Sequence, residues 1–174
     1  MIGMHVFGVE DERLEQVVGS MLRERNLTIA VAESCTGGLV GNRITNVPGS
    51  SEYFLGGVIA YSNELKRTLL GVREETLIHH GAVSPEVAQE MARGIRERTG
   101  AAMGISTTGI AGPGGGTPVK PVGLVYIGLS TASETYAEQH LFSGEREFIK
   151  LRSSQAALNA VRLHLLRSTE TKKT

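Results

Sequence analysis

The sequence predicts an α/β fold, a three-layer α/β/α sandwich around a mixed, mainly parallel five-stranded sheet. Three observations carry this. Short β-branched runs alternate with stretches whose apolar residues recur at helical spacing. Helical segments separate the first three strands, and such crossovers join parallel neighbours. The Gly-rich stretch at 109–121 has no helical pattern, so the fourth strand is expected to return antiparallel.

Taken in order, Leu14, Val17, Val18, Met21 and Leu22 share one face of a helix across residues 10–25. Asp11 and Glu12 suit its first turn, and Arg23 and Arg25 its last. Leu27-Thr28-Ile29-Ala30-Val31-Ala32 reads as a buried strand. It runs into the polar, glycine-bearing turn Glu33-Ser34-Cys35-Thr36-Gly37-Gly38, after which Leu39, Val40, Ile44 and Val47 recur as in a helix. Pro48-Gly49-Ser50-Ser51 ends that helix, and residues 57–61 form the second strand. Ser62-Asn63-Glu64 starts a helix that carries Leu65, Lys66, Leu69 and Leu70 and stops at Gly71. Residues 73–80 make a short helical turn closed by Gly81. Ser84-Pro85-Glu86 then opens a helix whose inner face is Val87, Met91 and Ile95 flanked by Ala88 and Ala92. Residues 101–106 are the third strand, and residues 122–130 and 135–142 the fourth and fifth. A final helix over 144–167 is expected to turn Phe148, Leu151, Leu158, Val161 and Leu165 inward. Residues 1–174 read as one domain, with 169–174 a frayed polar tail.

Composition narrows the function. Lys plus Arg equals Asp plus Glu at 18 each, and only 5% of residues are aromatic, which argues against direct nucleic-acid binding. One cysteine excludes an internal disulfide framework and a multi-cysteine zinc site. The five histidines are scattered, so no metal ligand set is expected, and no cofactor. The start of the chain lacks a signal-peptide pattern, and no apolar run reaches membrane-spanning length, so a cytoplasmic protein without membrane attachment is expected.

Ligands of such sheets bind beyond the carboxyl ends of the parallel strands. Three segments reach that edge. Strand one delivers Glu33, Ser34, Cys35, Thr36, Gly37 and Gly38; strand two delivers Tyr61, Ser62, Asn63 and Lys66; strand three delivers Thr107, Thr108, Gly109 and the glycine loop with Gly112. That loop offers backbone N–H groups to a phosphate, yet no Gly-Lys-Ser/Thr follows it, so it is not a Walker loop. Several Ser and Thr with one lysine, and no His–Asp pair, suggest nucleophilic chemistry with Lys66 as the base, its ammonium partly desolvated. Cys35 is a rival nucleophile, since a helix N-terminus lowers a thiol pKa.

Ala32-Glu-Ser-Cys-Thr-Gly-Gly38, Pro48-Gly-Ser-Ser51, Tyr61-Ser-Asn63 with Lys66, His80-Gly-Ala-Val-Ser84, Thr108-Gly-Ile-Ala-Gly-Pro113, Lys120-Pro-Val-Gly123 and Phe142-Ser-Gly144 resemble the C-terminal domain of the competence/damage-inducible CinA family. Larger members of that family carry an additional N-terminal domain, for which this chain has no room. The resemblance is to the stand-alone form, and it implies a nicotinamide mononucleotide deamidase, which hydrolyses the carboxamide to give nicotinic acid mononucleotide and ammonia. It also implies a homodimer and a Ser–Lys arrangement of Ser51, Tyr61 and Lys66. Arg146 and the glycine loop would take the nucleotide phosphate. Glu33 would face the pyridinium ring or cap backbone N–H groups. Topology complicates Ser51, because it precedes strand two while Lys66 follows it, and the strand separates its ends by roughly 17–23 Å. Either residues 48–54 fold back, or Ser51 comes from a second subunit, or Ser34 is the nucleophile. An interaction module linked to competence or DNA damage, binding a nucleotide without turnover, is the alternative.

Overall fold

The computed structural model describes residues 13–170, with side chains as far as Arg167. Asp11, Glu12 and residues 171–174 lie outside the described residues. The elements run α1 (Leu14–Glu24), β1 (Ile29–Glu33), α2 (Leu39–Thr45), a 3-10 turn (Ser50–Glu52), β2 (Phe54–Ile59), α3 (Asn63–Leu70), α4 (Glu74–His80), α5 (Pro85–Thr99), β3 (Met103–Gly109), β4 (Leu124–Ser130), β5 (Thr135–Leu141) and α6 (Arg146–Glu170).

The sheet order is β2-β1-β3-β4-β5. β1 pairs in parallel with both β2 and β3, and β4 pairs antiparallel with β3 and β5. Four strands therefore point one way, as the missing helix before β4 predicted. Alternation along the strands divides two cores. Ile29, Val31, Ile105, Val125 and Ile127 face α1, α2 and α6. Ala30 and Ala32 face Val87, Met91 and Ile95 of α5. This second interface is made of small residues so that α5 can lie against the strands. A Cβ added at Gly104 or Gly128 would run into the Ala92 or Ala88 carbonyl oxygen. The Ser106 hydroxyl donates to the Ala88 carbonyl at 2.6 Å, satisfying both polar groups where no water enters.

Two expectations need correction. The second strand begins at Phe54, three residues before Gly57, and ends at Ile59. Gly56 and Gly57 both sit inside this edge strand, where a register shift occurs between Ile29 and Ala30. Gly57 belongs there because a Cβ would collide with Val31, its neighbour on β1.

Phe148 and Leu151 do not turn inward; they are 58% and 50% exposed. The inner stripe is Ile149, Ser153, Ala157, Leu158, Val161 and Leu165. A reading that counts only apolar residues misses a serine in the stripe. Here the Ser153 hydroxyl bonds back to the Ile149 carbonyl at 2.7 Å, so it is buried at little cost. The same helix also continues through Glu170, past its expected end at 167.

Connectivity makes the site. β1 leads through α2 to β2 on one side, while β2 leads through α3, α4 and α5 to β3 on the other. The helices after β1 and β2 thus cover opposite faces, and the order reverses at β1. That leaves a crevice at the carboxyl end of β1, where Ser34 begins the turn.

Candidate active site

The turn after β1 is fixed by the backbone groups it would otherwise leave unpaired. Ser34 N–H donates to the Thr107 carbonyl at 3.0 Å, extending the β1–β3 pairing by one bond. The buried Glu33 carboxylate accepts from the N–H groups of Gly38 (2.9 Å), Val40 (3.1 Å) and Gly41 (2.8 Å). It therefore serves as the N-terminal anchor of α2, a negative charge at the positive end of a helix. Gly37 and Gly38 have φ of 62° and 96°, a succession of left-handed residues that only glycine adopts readily. The Thr36 and Thr107 hydroxyls meet at 2.7 Å and lock the turn to β3.

Lys66 arrives from α3, whose first turn is capped by Ser62 accepting from Leu65 N–H at 3.1 Å. Its side chain passes inward and is 1% exposed. The Nζ lies 3.1 Å from Ser34 Oγ, 2.9 Å from the Ala60 carbonyl and 3.4 Å from the Tyr61 carbonyl. Burial holds the Lys66 amine below the ordinary lysine value, because the charged form is the one desolvation penalises. A neutral amine has two N–H groups and one lone pair. Here the Nζ donates to Ser34 Oγ and to both carbonyls; as a neutral amine it would keep the two carbonyls and offer its lone pair to the Ser34 hydroxyl.

Cys35 is adjacent but poorly suited. It is 6% exposed, and burial pushes its thiol up to about 11, despite a hydrogen bond with Thr107. The helix N-terminus expected to activate it is outweighed by desolvation.

These groups open onto a cavity of about 290 Å³. Ser34, Tyr61, Asn63, Lys66, Thr108, Gly109, Gly112 and Arg146 are all on its wall. Arg146, the first residue of α6, bridges the mouth by donating to the Gly112 carbonyl at 2.7 Å and the Tyr61 hydroxyl at 3.1 Å. Thr108 donates to the Ala82 carbonyl at 2.7 Å. Glu33, Thr36, Gly37 and Gly38 are not on that wall; they shape the turn that carries Ser34. Ser51 is exposed on the 3-10 turn before β2, and residues 48–54 do not fold back toward Lys66. The six residues of β2 separate it from that edge by roughly 20 Å.

Ala82 and Val83, also on the wall, had no role in the sequence reading. The His80-Gly-Ala-Val-Ser84 block was their signal. Among the described residues, no three His, Cys, Asp or Glu side chains gather as a metal site, and no helix is long and apolar enough to cross a membrane.

The profile of the CinA C-terminal domain matches residues 11–165. The chain is 56% identical over 165 residues to a CinA-like protein of Chloroherpeton thalassium, covering 92% of this chain and 39% of that one. It is 52% identical over 163 residues to a CinA-like protein of Thermotoga maritima, covering 94% and 40%. The chain thus spans about 40% of the length of these relatives. Among solved structures, the competence/damage inducible protein CihA of Agrobacterium tumefaciens superposes with a TM-score of 0.85 at 36% identity, covering 92% of this chain and 98% of that one. A CinA superfamily protein of Klebsiella pneumoniae gives 0.85 at 31% identity, covering 90% and 99%.

Proposed function

The chain belongs to the CinA C-terminal domain family, and on that footing we propose that it hydrolyses the carboxamide of nicotinamide mononucleotide by a serine–lysine mechanism. The observation that carries the reading is the 3.1 Å approach of Lys66 Nζ to Ser34 Oγ, both side chains buried at the edge of the cavity. Lys66 takes the Ser34 proton as Oγ attacks the amide carbon. The oxyanion is met by the backbone N–H groups of Cys35 and Thr36, which immediately follow the nucleophile. Lys66 then returns the proton to the departing nitrogen, the C–N bond breaks and ammonia leaves. Water, activated by the same amine, hydrolyses the acyl-serine to nicotinic acid mononucleotide.

Arg146 and the glycine loop take the 5′-phosphate, the guanidinium exchanging its bonds to Gly112 and Tyr61 for phosphate oxygens. Asn63 and Thr108 orient the carboxamide and ribose. Glu33, already holding three backbone N–H groups, supports this site from behind and does not contact the ring. The working form is a cytoplasmic homodimer, with Ser51 outside the chemistry of its own chain.

The test is ammonia release from nicotinamide mononucleotide in EDTA, matched mole for mole by nicotinic acid mononucleotide. Folded protein that binds the mononucleotide without releasing ammonia would instead be a nucleotide-binding module.

A further inference from the structure

The connection from β3 to β4 supplies the Gly-rich part of the cavity wall, and it is closed at its base. Ile110 N–H donates to the Leu124 carbonyl at 2.9 Å, and Gly123 N–H to the Ile110 carbonyl at 2.8 Å. Beyond that base, no backbone–backbone hydrogen bond holds residues 111–116 among the described residues. Two cations hold the two arms. Arg146 fixes Gly112 on the first arm. On the second, a tight turn fixes Lys120, with Thr117 N–H donating to the Lys120 carbonyl at 2.8 Å and Lys120 N–H to Thr117 Oγ1 at 3.0 Å.

From that turn Lys120 Nζ donates to the His80 carbonyl at 2.6 Å and the Val83 carbonyl at 2.7 Å. His80 ends α4, so the ammonium sits at the negative end of a helix. Val83 is on the cavity wall. Between them Gly81 has φ of 70°, and a Cβ there would lie 3.3 Å from Lys120 Nζ. The ammonium has no carboxylate partner among the described residues, so its contacts are the two main-chain carbonyls of one short loop.

We propose that Lys120 is a positioning residue for the candidate site: it clamps the glycine loop to the α4–α5 connection and so sets the wall against which the nucleotide binds. The proposal rests on the deamidase reading only for the identity of the ligand. Ser34 and Lys66 come from β1 and α3, which the clamp does not touch. Releasing it therefore weakens substrate binding and leaves the chemical step nearly intact.

The experiment compares wild type, Lys120→Met and Lys120→Arg by amide hydrogen exchange without ligand and by steady-state ammonia release. In Lys120→Met, peptides spanning 79–88 and 109–123 exchange faster while those of α1 and α6 do not change. KM for nicotinamide mononucleotide rises about tenfold, within the cost of a wall displaced by a fraction of an ångström, and kcat stays within about threefold. Lys120→Arg, able to donate to both carbonyls, recovers most of both effects. Unchanged local exchange, unchanged KM beside faster exchange, or faster exchange spread through the whole chain would each overturn the clamp. If wild type releases no ammonia, mononucleotide Kd replaces KM; the exchange arm is unaffected, so failure of the enzyme reading stays separate from failure of the clamp.

Discussion

Lys66→Met removes the proposed base while keeping a side chain of similar length in the same space. Its only losses are the contacts of Nζ with Ser34, Ala60 and Tyr61. Two carbonyls without a donor cost about 1 kcal/mol each, and removal of a desolvated amine offsets part of that. Stability should therefore change by no more than about 2 kcal/mol, or roughly 4–8 °C in Tm, and the variant stays folded at 25 °C. Loss of a positioned general base costs about 10²- to 10⁴-fold in rate, or about 2.7–5.4 kcal/mol of barrier. Ammonia release and a thermal melt on the same sample separate the two effects. A folded variant that keeps more than about a tenth of wild-type kcat/KM would refute Lys66 as the base. Wild-type kcat/KM should also rise with pH as Lys66 loses its proton, with an apparent pKa below the ordinary 10.5, and this limb should vanish in the mutant. Stability follows the same sign. Between the lowered folded pKa and the unfolded one, the unfolded chain binds the extra proton, so stability from this group increases as pH rises through that window.

The serines separate on the same assay. Ser34→Ala should lose turnover by at least about a hundredfold with mononucleotide affinity retained, whereas Ser51→Ala should stay within about twofold; the reverse would make Ser51 of a second subunit the nucleophile. Glu33→Gln replaces an acceptor with a donor opposite three backbone N–H groups, so a melt should show a loss of about 2–4 kcal/mol. Wild-type stability in that variant would refute the anchoring role. Gly128→Ala drives a methyl into the Ala88 carbonyl, and Tm should fall by roughly 6–12 °C for an overpacking cost of about 3 kcal/mol. An unchanged Tm would show that α5 can lift from the sheet freely.

Much of the fold was legible because its determinants are local. The apolar run at 29–32, the paired glycines at 37 and 38, the Ser62 cap and the Ser84-Pro85 opening act within a few residues, where propensity and turn chemistry operate. The absent helix after β3 was enough to place β4 antiparallel. The errors came where neighbours outvoted local pattern. Ser153 entered the inner stripe of α6 because it could bond to its own helix, and β2 starts at Phe54 because Ile29 and Ala30 of β1 pair with Phe54 and Gly56. The site residues of all three strands were placed on one edge by topology alone, but the sequence left open whether Glu33 faces a ligand or caps backbone N–H groups, and whether Ser34 or Ser51 approaches Lys66.

By itself, then, the sequence determined the layered architecture, the edge on which the candidate site lies and the resemblance that points to an amide of a pyridine nucleotide. Only the tertiary structure decided which serine meets the lysine. Ser34 and Lys66 are 32 residues apart, and their 3.1 Å approach depends on β1 and β2 lying side by side with α3 packed across them. It also decided that Lys66 is buried with no ion-pair partner among the described residues, that Cys35 is buried with its thiol pKa raised, and that Lys120 reaches across to the α4–α5 loop. The physical reason is range. Helix starts, turns and strand alternation are set within a few bonds of each residue, while distance, desolvation and hydrogen-bond partners depend on what distant segments bring to the same place.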